Sequence, residues 1–119
     1  MRLDPNSPTI TKLAFAKRNA LLKAQSALRT ASDMLEKTQD GLFEESKDAA
    51  LKELEQIRSL SQKAAKQAQD TLKQTAQFCT KAPRHAPLLE ITQQVTAQIQ
   101  ALDKETSHML EQVKKILTA

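Results

Sequence analysis

The chain has 119 residues, a net charge of +4 and a pI near 9.3, with one glycine, one cysteine and no tryptophan or tyrosine. A lone glycine excludes glycine-rich phosphate loops and argues against a turn-rich sheet. A lone cysteine excludes an internal disulfide and fits a reducing, cytoplasmic setting. Alanine and leucine dominate the apolar residues, as in long helices. No apolar run is long enough to span a bilayer, so any membrane contact is expected to be peripheral.

Helix breakers fall in three places: Pro5 with Pro8, Asp40-Gly41, and Pro83 with Pro87. They predict helices over about 8–39, 43–80 and 87–117. The first is expected to begin at Pro8 with Ser7 as its N-cap. Ile10, Leu13, Ala14, Ala20, Leu21, Ala24, Ala27, Leu28, Ala31, Met34 and Leu35 share its apolar stripe. Within it Ala14, Leu21, Leu28 and Leu35, continued by Leu42, recur every seven residues. Gly41 supplies the left-handed residue that ends the helix, with Leu42 available for the cap's hydrophobic contact.

The second helix shows a row at steps of three and four: Ala50, Leu54, Ile57, Ser61, Ala64, Ala68, Leu72, Thr75 and Cys79. Its other side, including Lys52, Glu55, Lys63, Lys66, Asp70 and Lys73, reads as solvated. In the third helix Leu88, Val95, Leu102, Met109 and Ile116 interleave with Thr92, Ile99, Thr106 and Val113. That is the cleanest heptad in the chain, and both rows are expected at the core.

Long helices with short connections predict an all-α fold: an elongated, antiparallel up-down-up three-helix bundle covering residues 1–119. The alternative architecture is a helical hairpin that completes its core by dimerising. The acid-free basic stretch after Pro5 has a transit-peptide-like composition, but it carries the apolar period of the first helix throughout.

Reactive groups are sparse. Cys79 and His85 are the one conceivable nucleophile and base, and two such residues are too few for a zinc site. No Glu-x-x-His motif suggests a di-iron centre. The expectation is therefore a non-enzymatic protein with no catalytic residues, metal or cofactor. Nucleic-acid binding is disfavoured because stacking aromatics and a concentrated basic run are missing.

Two positions break the pattern of the first helix. Phe15 and Leu22, seven residues apart, fall opposite its apolar stripe. Arg18 and Arg29 flank them on one side, Lys12 and Lys23 on the other. Large apolar side chains on a basic face suit recognition of an acidic or helical protein, or a homodimer contact. Lys17 is the converse, a cation near the middle of the apolar stripe, expected to snorkel outward, the alternative being a register-setting pair with an acid on another chain. The combined expectation is an adaptor, chaperone or complex subunit. The alternative is peripheral binding of an anionic surface, membrane or nucleic acid, through the basic first helix.

Overall fold

The computed structural model describes residues 7–119, with the side chains of Ser7 and Pro8 outside the described set, as is the N-cap expected there. Three helices, α1 (Ser7–Gln39), α2 (Lys47–Lys81) and α3 (Ala86–Leu117), are joined by a turn and by a short 3-10 segment, Pro83–His85. Each helix packs against both others, giving an all-α three-helix bundle with no strand among the described residues. The result is a rod of 62 × 22 × 16 Å. Because α3 closes the core within one chain, the hairpin alternative does not describe it.

The α1–α2 turn follows from Gly41. Its φ of +79° is a conformation glycine adopts without strain. The Gly41 amide donates to the Thr38 carbonyl and the Leu42 amide to the Lys37 carbonyl, each at 3.1 Å. That is a Schellman cap. Its expected hydrophobic contact is not made by Leu42, which is 64% exposed; Phe43 packs against the core instead. The turn occupies residues that were expected to be helical, so α2 begins at Lys47, not Phe43.

The core is a continuous heptad. In α1 the innermost positions are 13, 17, 20, 24, 27, 31, 34 and 38; in α2 they are 50, 54, 57, 61, 64, 68, 71 and 75. In α3 they are 92, 96, 99, 103, 106, 110, 113 and 117. Steps of four and three keep each row facing its neighbours, as in left-handed coiled coils. In α2 the expected Leu72 gives way to Thr71.

The correction in α3 is larger. Thr92, Ile99, Thr106 and Val113 are buried as expected. The second inner row, however, is Thr96, Asp103, Leu110 and Leu117. Leu88, Val95, Leu102 and Met109 lie beside the core and are half-buried, and Ile116 is exposed. The corresponding α1 row, Ala14, Leu21, Leu28 and Leu35, is half-buried too.

Seven described polar side chains are buried, all serine or threonine. Thr38, Thr71, Thr75, Thr92 and Thr96 donate their hydroxyls to the carbonyl four residues earlier, at 2.7–2.8 Å. A polar layer crosses the middle of the rod, where the Ser61 hydroxyl donates to Asp103 Oδ1 at 2.6 Å. The nearby Thr106 hydroxyl is buried and has no hydrogen-bond partner among the described residues.

Candidate interaction surface

The six residues singled out on α1 are all exposed. Phe15 is 65% and Leu22 53% exposed, the larger values that heptad geometry gives the row farthest from the core. That outermost row continues through Arg29 to Glu36. Lys23 reaches toward α2, where its Nζ donates to Gln67 Oε1 at 3.1 Å. Arg29 turns the other way and lines a trough of about 650 Å³ between α1 and α3, with Leu28, Asp33, Glu36, Glu105 and Met109. Lys12 and Arg18 remain exposed nearer the N-terminal end of the helix.

Lys17 occupies an inner heptad position between Leu13 and Ala20 and is half-buried. Among the described residues it forms no ion pair.

The Cys79–His85 pair is arranged differently from a nucleophile and base. The buried Cys79 thiol donates to the backbone carbonyl of His85 at 3.2 Å. The His85 ring stacks on Phe78, with centroids 5.5 Å apart, and its Nε2 accepts from Arg84 Nε at 3.3 Å. The thiol therefore helps to fasten the α2–α3 turn.

Folding also redistributes charge in a way that the linear sequence conceals. Counted along the chain, successive thirds carry +3, +1 and 0. The antiparallel fold instead gathers residues 7–24 and 64–99 into one half of the rod. That half holds Lys12, Lys17, Arg18, Lys23, Lys66, Lys73, Lys81 and Arg84 against only Asp70 and Glu90. The other half, residues 25–63 and 100–119, has eleven acidic and nine basic side chains, with the acids densest around the α1–α2 turn. The rod is thus electrically polar along its length, basic at the Pro83–His85 end.

A second feature missed in the sequence is the difference among the three grooves. The rows flanking the α1/α2 contact include Lys23, Lys37, Glu53, Gln67 and Gln74. Those flanking α2/α3 set Leu51, Arg58, Ala65 and Leu72 on α2 against Gln93, Gln100, Ser107 and Lys114 on α3, with Leu89 at one end, so this groove is apolar on one side alone. The α1/α3 groove is lined by Ala14, Leu21, Leu28 and Leu35 on one side and Leu88, Val95, Leu102 and Met109 on the other. Among the described residues the exposed large apolar side chains are Phe15, Leu22, Leu42, Ile91 and Ile116. All five belong to α1, the turn after it, or α3; α2 contributes none. The signal in the sequence is two seven-residue apolar rows, which spacing alone assigns to the core.

Among the described residues no helix is long and apolar enough to cross a membrane. Compared with known proteins, the chain matches no family model, no curated protein and no solved structure.

Proposed function

We propose that this protein is a non-enzymatic helical adaptor, chaperone or complex subunit that docks an acidic helical segment of a protein partner on the outer face of α1. The observation that carries this reading is the pairing of Phe15 and Leu22 on the outermost row of α1, within the half of the rod that holds eight cations and two acids. Apolar anchors one heptad apart match the side-chain spacing of an amphipathic helix. The surrounding Lys12, Arg18, Lys23 and Arg29 steer an acidic partner and favour one orientation. The setting proposed for this role is cytoplasmic.

The test compares wild type with a Phe15→Glu, Leu22→Glu double variant in affinity capture from the native source. Both positions are exposed, so the variant is expected to keep its helicity and melting temperature. Loss of the wild-type partner set supports the reading; retention of every partner removes this surface from recognition.

The concentration of charge at one end favours a second reading, peripheral attachment to an anionic surface, either membrane or nucleic acid. Binding to phosphatidylserine vesicles or DNA at low salt, lost as ionic strength rises, would favour it over the first. Unchanged sedimentation and mobility with both would dispose of it.

A further inference from the structure

We infer that the α1/α3 groove is a self-association face, which closes onto the same face of a second copy running antiparallel. Three independent observations converge on it. The groove is the one whose flanking rows are apolar on both sides, and Ile91 and Ile116, 48% and 42% exposed, border it on α3. On α2 the large apolar flank residues, Leu51, Leu60 and Leu72, are half-buried, and none is exposed among the described residues. The exposed large apolar side chains thus gather on two of the three helices, with charged residues at the rim of the groove between them.

Charge chooses the occupant and its direction. The face itself carries Lys17 and Arg18 toward its Pro83–His85 end and Asp33, Glu36 and Glu105 with Arg29 in its other half, so a parallel pair would set like charge against like. An antiparallel pair lays each basic half along the acidic half of its mate. The boundary between the halves falls near residue 100 of α3, beside the Ser61–Asp103 layer. A two-fold axis close to that level makes the contact isologous, the commonest way to close a homodimer. It also brings Ile91 opposite Ile116 of the second copy, each about 19 Å from the axis at the rise of an α-helix. The flank of a 62 × 22 × 16 Å rod is large enough for the roughly 800 Å² per partner of a standard interface.

This inference goes beyond the adaptor reading and stands without it. Phe15 and Leu22 sit at the rim of the face, so an antiparallel pair would carry one basic recognition end at each tip. A single-site binder would then become bivalent.

Sedimentation and light scattering across concentration test the pairing. The expected result is twice the 13.2 kDa chain mass. The exposed-site variant Ile91→Glu, Ile116→Glu, which spares Phe15 and Leu22, is expected to raise the dissociation constant by more than about tenfold while leaving helicity intact. Orientation is read by mixing Ile91→Cys chains with Ile116→Cys chains, both carrying Cys79→Ala, under mild oxidation. The mixed disulfide is expected to dominate. A single-chain mass at every concentration overturns the proposal and leaves the groove to a helix of another protein. A dimer indifferent to the double glutamate variant, or one that cross-links through Ile91→Cys alone, overturns it equally.

Discussion

At the α1–α2 turn the core is filled by Met34, Leu54, Ile57, Leu110, Val113 and Leu117 around Ala27, Ala31 and Ala50, with Phe43 and Leu60 packed against them. Toward the Pro83–His85 end the same heptad holds Leu13 and Ile99 among Ala20, Ala24, Ala64 and Ala68, then Thr71, Thr75, Thr92 and Thr96, and half-buried Lys17. Small side chains let helix axes approach but remove little apolar surface from water. The buried threonines satisfy their hydroxyls within their own helices, so they avoid a desolvation penalty without adding cohesion between helices. Cohesion is therefore concentrated in the acidic half, and the basic half, which carries Phe15 and Leu22, is the looser one. Recognition surfaces are commonly drawn from the less stable part of a fold.

The sharpest way to break that contrast is to truncate one buried residue in each half. Leu110 is fully buried in the apolar cluster, and Leu110→Ala is expected to cost about 3–4 kcal/mol, combining lost transfer energy with a cavity. Thr75 is equally buried in the other half, yet its hydroxyl bonds only to its own helix. Thr75→Ala is expected to cost about 1 kcal/mol, because it removes one methyl and a self-satisfied hydroxyl and opens a smaller cavity. Urea denaturation of both variants measures the difference. Comparable losses would mean that the threonine half is as well packed as the leucine half.

The bundle was legible in the sequence because its punctuation is sparse and chemically unambiguous: Gly41 ends one helix, and Pro83 and Pro87 frame the next turn. The inner row of α2 was legible in its steps of three and four except at one place, where the more apolar Leu72 stands beside the buried Thr71. In α3 the rows exchanged places. Leu88, Val95, Leu102 and Met109 make a better apolar heptad than the true inner row, which contains Thr96 and Asp103. Both rows repeat every seven residues, so period alone could not separate core from flank. Only the position of α1 alongside α3 shows that the more apolar row faces a groove. The outward placement of Phe15 and Leu22 needed only helical spacing. The charge polarity of the rod was hidden, because it arises when distant segments are brought side by side.

The polar layer marks the junction between the two halves, and removing it is the next test in size. In Asp103→Ala the Ser61 hydroxyl, 1% exposed with its residue, loses the acceptor at 2.6 Å. It can turn toward a carbonyl of its own helix, which limits the cost. Destabilisation of about 1–2 kcal/mol is expected, read from the denaturation midpoint. Ser61→Ala in the same background should then add little, since the two share one bond. Fully additive losses would show that serine and aspartate act separately, and that no coupled layer joins the halves.

Thr106 offers the smallest effect and the cleanest sign. It lies next to that layer, its side chain is fully buried, and its hydroxyl has no partner among the described residues. Five other buried threonines in the chain hydrogen-bond the carbonyl four residues back, so the local helix does not forbid the bond in general. Thr106→Val keeps the shape and replaces an unpaired hydroxyl by a methyl. It is expected to stabilise the bundle by about 1 kcal/mol, a few degrees in melting temperature for a chain of this size. The same substitution at Thr75, whose hydroxyl is bonded, should be neutral or mildly destabilising. Equal responses at the two sites would mean that hydroxyl pairing does not distinguish them, and that the junction owes its character to Ser61 and Asp103 alone.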